Sequence, residues 1–191
     1  SGLVLYTNSL PSGFTSTDRI KQIFSLKQAE DLGIVKDYSD ETLATGVVTI
    51  TAAGAIGDNI KIKITEPKKV ITIASYTGIS GDTPTTIAIA IINNINLYTY
   101  SHGYSATNVA GAITITARRG LGIYLNTASK ISTVIIGTIT TTVTDFSGGV
   151  AGKLAVYWYH ISEYFRVQPQ GNIYVGINVV PSTYTFTEID A

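Results

Sequence analysis

Residues 59–96, NIKIKITEPKKVITIASYTGISGDTPTTIAIAIINNIN, change their period partway along, and that change decides the fold class. In the first eight residues Ile60, Ile62 and Ile64 alternate with Lys61 and Lys63. One side of an extended chain is then apolar and the other charged, which is the pattern of a half-buried antiparallel strand. KKVITIASY keeps the two-residue repeat. From Thr83 onward the repeat lengthens, with Ile87, Ile91 and Ile95 four residues apart on one helical face. Thr83 offers an N-cap hydroxyl, and Pro84 suits the first helical position because its missing N–H has no partner there anyway. The stretch predicts strands followed by one helix.

Working outward, GVVTITAAG (46–54) alternates as a further strand, and GYSATNVAGAITITARRG (103–120) reads as two strands joined through Ala110-Gly111. STVIIGTITTTVTDF (132–146) is a last β-rich run. The flanks have another character. Ser25-Leu26-Lys27-Gln28 has capping-box spacing and predicts a short helix over Leu26–Leu32, ended by Gly33 in the left-handed conformation. In GKLAVYWYHISEYFRVQP (152–169), Leu154, Trp158, Ile161 and Phe165 fall on one face of an amphipathic helix that ends before Pro169. NIYVGINVV (172–180) is a short apolar run, read as a buried strand.

Charge divides along the same lines. Residues 1–45 and 150–191 hold six basic and nine acidic residues, whereas 46–149 hold seven and four among Thr, Ile, Ala and Gly. The expected fold class is α+β: a split α/β core of two helices plus a sheet (1–45 with 150–191), interrupted by a mostly antiparallel β insertion with one helix (46–149).

Composition narrows function. At 191 residues with 45% hydrophobic and 14% charged content, the chain is expected to build one or two cores rather than remain disordered. Zero formal net charge gives no general field to gather nucleic acid or an anionic membrane. The absence of cysteine removes disulfides, thiol nucleophiles and the usual structural zinc sites. No apolar run reaches the roughly 18 residues of a spanning helix, so the chain reads as soluble. Met is absent even at position 1, so a processed or excised chain is expected.

Residues with chemical potential are few. His160 lies among Tyr157, Trp158, Tyr159, Tyr164 and Phe165, with only Glu163 at helical spacing to orient it as a base, so a packed or interface histidine is the expected role. His102 has no metal-ligand spacing to His160. GISGDT (78–83) precedes a helix as a phosphate loop does, but it lacks a Gly-Lys-Ser/Thr ending and puts Asp82 where the anion would sit; capping is its expected role. Asp37, Asp40 and Glu41 lack the alternating ligands and Gly of a calcium loop. Lys68-Lys69 and Arg118-Arg119 are basic pairs, either solvated or facing acid on a neighbour. No serine sits in a G-x-S-x-G context. These residues give no catalytic, cofactor-binding or metal site and imply no cofactor. The 12 tyrosines suit either a glycan platform or an assembly interface.

Two stretches resemble tail sheath proteins of contractile phage tails and related injection systems. In the insertion the carriers are Gly57-Asp58, Gly81-Asp82-Thr83, Ala88, Ile95-Asn96, Gly111, Thr114-Ile115-Thr116-Ala117, Gly120, Gly122 and Asn126, in the order seen in Mu-like sheath insertions. In the flanks, FSLKQAEDLGI and YHISEYFRVQPQGNIYVGI are similar to the helices and strand of sheath cores. The resemblance covers most of the chain and is that of an N-terminal and core fragment. It implies a non-enzymatic structural subunit that packs against copies of itself and, in such systems, around an inner tail tube protein, without nucleic acid or membrane. It also implies a place in the virion tail, or in the host cytoplasm during assembly. A β-rich carbohydrate- or surface-binding module of a tail or adhesin stands as the alternative.

Overall fold

The computed structural model describes residues 1–7, 10–109 and 111–179. In chain order the elements are β1 (Gly2–Thr7), β2 (Ile20–Ile23), α1 (Leu26–Asp31), β3 (Thr45–Ala52), β4 (Asn59–Thr65), β5 (Val70–Thr77), α2 (Pro84–Leu97), α3 (Thr99–His102), β6 (Ser105–Val109), β7 (Ala112–Thr116), β8 (Ile131–Ile136), β9 (Thr140–Ser147), α4 (Lys153–Val167) and β10 (Ile173–Val179). The fold is α+β. It divides into two compact units, Ser1–Asp40 with Gly152–Ala191 and Glu41–Ala151. The expected boundaries at 45/46 and 149/150 fall inside the second unit, because Thr42 and Val150 exchange backbone hydrogen bonds of 3.1 and 2.9 Å and so close its neck.

In the first unit β10 is the central strand, parallel to β1 and antiparallel to β2. Its burial alternates: Ile173, Val175 and Ile177 are buried together with Leu5 of β1 and Ile23 of β2. Ala29 of α1 and Ile161 of α4 complete that cluster, with Trp158, Tyr157 and Phe165 packed at its margin. The last residue of the predicted strand, Val180, lies outside the described residues. Helix α1 is capped at both ends by short-range chemistry. Ser25 Oγ accepts from Gln28 N at 3.2 Å, while Gln28 Oε1 accepts from Phe24 N at 3.0 Å, one residue earlier than the usual capping box. Gly33, at φ +84°, donates to Glu30 O while Ile34 donates to Ala29 O, both at 3.0 Å, so the helix ends in a Schellman turn sealed by buried Ile34.

The second unit packs two antiparallel sheets, β6-β7-β3-β9 and β5-β4-β8, around α2. Their shared core is mainly isoleucine: Ile50, Ile60, Ile62, Ile64, Ile87, Ile91, Ile95, Ile113 and Ile115 are all buried. Branched side chains suit both the pleated surface and a dry core, and here they outweigh the modest helix propensity of Ile in α2. Thr83 and Thr86 cap α2 reciprocally, with bonds of 2.8 and 3.2 Å, and Pro84 opens the helix. A single-turn helix, α3, follows the one helix that the pattern predicts. The Thr99 hydroxyl secures it by donating to Ile95 O and Tyr104 O. The last β-rich run breaks at Gly137, φ +110°, into β8 and β9, which belong to different sheets. A Cβ at Gly137 would lie 2.0 Å from the Asp58 carboxylate, so sterics as well as φ require glycine there. Ala110, half of the predicted β6–β7 turn, lies outside the described residues; Gly111 N donates to Asn108 Oδ1 at 2.9 Å. Among the described residues no helix is long and apolar enough to cross a membrane.

Candidate functional site

A buried polar cluster of the second unit centres on Glu66, at the end of β4 and 4% exposed. Arg118, just past β7, approaches it with Nε at 2.7 Å and Nη2 at 3.1 Å, a two-pronged charge-assisted contact. The buried Tyr104 hydroxyl donates to the same carboxylate at 3.1 Å, and Lys69 Nζ stands 3.9 Å away. The Arg118 guanidinium holds the Glu66 carboxyl below its ordinary range against the opposing effect of burial. Burial and the Glu66 charge push the Tyr104 phenol up. A carboxylate held ionised by a guanidinium, beside a phenol held protonated, is a stable ion-pair triad. It ties the β4–β5 turn, the start of β6 and the segment after β7 together.

The other four carboxylates of 41–151 are committed instead to backbone N–H groups. Asp58 accepts from Ala55 N and Thr138 N at 2.8 and 2.7 Å, which holds its carboxyl below the ordinary range. Asp82 accepts from Ile79 N at 2.7 Å and from the Tyr76 and Thr86 hydroxyls, ahead of α2. Asp145 gathers the N–H groups of Ser129, Lys130 and Ile131. Glu41 receives Gly120 N on both oxygens, at 3.0 and 2.9 Å. Asp82 thus occupies the N-terminal turn where a phosphate would bind.

The described cleft in this unit is shallow and open, about 350 Å³, and runs between the free edge of β5 (Thr72, Ile73, Ala74, Ser75) and Asn94, Tyr98, Ser101 and His102. His102 Nδ1 accepts from Tyr104 N at 3.1 Å, which places the imidazole proton on Nε2. Nε2 is buried without a hydrogen-bond partner. Burial pushes the imidazole below its ordinary pKa, with the Ile73 carbonyl acting the other way. Asn94 Oδ1 already receives Ser75 N at 3.2 Å, so part of the β5 edge is satisfied from within.

The remaining sequence candidates disperse. His160 is exposed on α4, edge-on to Tyr159, rather than packed in the aromatic cluster; it follows the helix to the solvent side, and Glu163 pairs with Arg166 instead. Trp158 is half-buried, donating Nε1 to Glu30 at 2.9 Å with Lys36 over its ring, so its face is not open to a sugar. Asp37 binds Ser39 locally. Asp40 accepts Lys153 N at 2.9 Å, capping α4, whose own N-cap, Gly152, has no side chain to do so. Of the basic pairs, Arg118 and Lys69 are drawn to Glu66. Sequence reasoning missed Glu66 as a centre. The signal was a lone acid at the end of an alternating strand, on a chain whose other charges are sparse. Among the described residues no three His, Cys, Asp or Glu side chains converge into a group able to hold a metal. No family model matches the chain, and no curated protein matches it.

Proposed function

We propose that this chain is a structural, self-associating protein, a subunit or subunit fragment of a contractile tail sheath in a phage tail or related injection system. The observation that carries the reading is an exposed apolar row on the sheet of the first unit. Val4 (61% exposed), Gly176 and Ile20 (66%) form one apolar row across β1, β10 and β2, with Tyr174 (49%) beside it. Both helices of that unit contribute to the cluster on the opposite face. Apolar surface in a continuous row favours burial against another surface, and a repeating copy of the chain supplies one. The commitment of every carboxylate of 41–151 to ion pairs and backbone N–H groups agrees with a scaffold role. The virion tail, or the host cytoplasm during assembly, is the corresponding location, with an inner tail tube protein as second partner.

The test is association state against concentration, by sedimentation and negative-stain electron microscopy. Rings, tubes or concentration-dependent oligomers are expected, and Ile20→Asp lowers association without changing the melting temperature. A chain that stays monomeric throughout overturns the reading. A monomer that binds a glycan array supports the carbohydrate-binding alternative instead.

A further inference from the structure

Three loops meet at one end of the second unit, and Asp58 ties them together. Its carboxylate accepts from Ala55 N at 2.8 Å, from Thr138 N at 2.7 Å and from Thr138 Oγ1 at 2.9 Å. Gly57 N donates to Gly78 O at 2.9 Å, and Gly78 N donates to Asp58 O at 2.7 Å. Beside each glycine of this junction stands an isoleucine: Ile56 before Gly57, Ile79 after Gly78 and Ile136 before Gly137. They are 72%, 63% and 67% exposed. Glycine supplies the backbone conformation, with φ of +88° at Gly57 and +110° at Gly137, so the turns do not call for isoleucine. Exposed apolar side chains scattered singly are ordinary, whereas three on one braced junction form a patch.

The sheet face that leads away from this junction is basic. Ile136 pairs with Asn59 on the outward side of β5-β4-β8. The next outward row is Val134, Lys61 and Ser75, and the one after it Ser132, Lys63 and Thr72, with rows about 7 Å apart along the strand. No carboxylate stands in these rows, and neither lysine forms an ion pair among the described residues. The five carboxylates of the unit are engaged elsewhere. Lysine on an edge strand deters unwanted pairing, but β4 is central and needs no such guard.

We propose that this end of the second unit docks on an anionic lipid bilayer, with Ile56, Ile79 and Ile136 entering the headgroup boundary while Lys61 and Lys63 meet the lipid charge. A soluble polyanion would engage the lysines and leave the isoleucines in water. A protein partner would need an apolar socket and an acidic rim side by side, whereas an anionic bilayer presents both everywhere on its surface. Zero net charge is a sum over the chain and does not describe the field at one face, which acts over a Debye length of roughly 8 Å. The bonds to Asp58 hold the loops before contact, so docking orders little that is not already ordered. Such docking uses the second unit alone and does not depend on the self-association reading, which rests on the sheet of the first.

The experiment floats the full chain with vesicles at roughly 0.15 M salt, using phosphatidylcholine alone and phosphatidylcholine with about 30% phosphatidylserine. The parent is expected to float with the anionic vesicles and to bind the neutral ones about tenfold more weakly, the difference narrowing as salt rises. Lys61→Gln/Lys63→Gln lowers binding to anionic vesicles about tenfold and leaves neutral ones unaffected. Ile56→Ser/Ile79→Ser lowers binding to both kinds about tenfold, because apolar burial does not depend on lipid charge. Melting curves of both variants match the parent. Ile79→Trp adds a reporter at the junction, whose emission shifts to the blue on anionic vesicles while the parent's Trp158 emission does not move. A parent chain left behind by the anionic vesicles overturns the inference, as does full binding to them by either variant. Heparin binding without vesicle binding assigns the lysines to a soluble polyanion and overturns it as well. Self-association lost in Ile56→Ser/Ile79→Ser, with vesicle binding intact, assigns the junction to a second copy and overturns the bilayer as its occupant. The proposed function keeps its own test in each case, association through the row of Val4 and Ile20.

Discussion

The two units bury their cores in opposite ways. The second surrounds α2 with two sheets, so that Ile62, Ile91 and Ile113 are enclosed on all sides, and it pins its loops with a buried ion-pair triad. The first has two helices on a three-stranded sheet and leaves Val4 and Ile20 in the open. Both cores contain residues with no exposed surface, so the difference lies in closure rather than in depth. A closed core has little room to relax when a side chain is removed. A one-sided core has room, and its open face remains as surface for another molecule.

The largest expected effect tests that contrast directly. Ile62→Ala removes a side chain with 0% exposure from the closed core and should cost about 4 kcal/mol. Ile161→Ala removes one equally buried in the first unit, and should cost about 2 to 3 kcal/mol because neighbours can collapse into the space. Urea denaturation followed in each unit measures both, and equal costs break the comparison.

Next in size is the triad. Arg118→Met leaves the Glu66 carboxylate buried with Tyr104 and the more distant Lys69, at an expected cost of about 2 to 4 kcal/mol at pH 7. The sign with pH follows from the lowered folded-state pKa of Glu66. The stabilisation is fully present above the unfolded carboxylate value of about 4.3, and it is lost as pH falls through the lower folded value. Parent and variant should therefore converge in stability as the pH is lowered from 7 to about 3. A gap that stays constant across that range removes the ion pair as the cause.

The smallest expected effect concerns the helix caps. Thr83→Ala removes one half of the reciprocal cap on α2 and should cost about 1 kcal/mol, read from the shift in denaturation midpoint. The loss belongs to the transition of the second unit; a shift in the first unit instead shows that the two do not unfold separately.

Much of this architecture was legible from local spacing. The burial of Ile60, Ile62 and Ile64, the start of α2 at Thr83-Pro84 and the ends of α1 at Ser25 and Gly33 follow from side chains within a few residues of one another. The two units also follow the change in composition, though their boundaries did not: the Thr42–Val150 bridge that sets them joins residues far apart in sequence. The site was less legible. His160 attracted notice through its aromatic neighbours, yet those lie around a helix whose solvent side it occupies. Glu66 drew none, because its partners come from loops beyond β4.

The amino-acid sequence by itself determined the periods, the caps and the faces that turn inward, because these depend on bonded geometry and on contacts within one or two turns of chain. Only the tertiary structure decided that β8 and β9 part into different sheets, that Arg118 reaches Glu66 across 52 residues, and that Asp40 caps α4 across 113. Such pairings depend on which distant segments the closing of long loops brings together. The entropy of closure grows only slowly with loop length, so separation in sequence barely discriminates among partners, and packing of the whole core makes the choice.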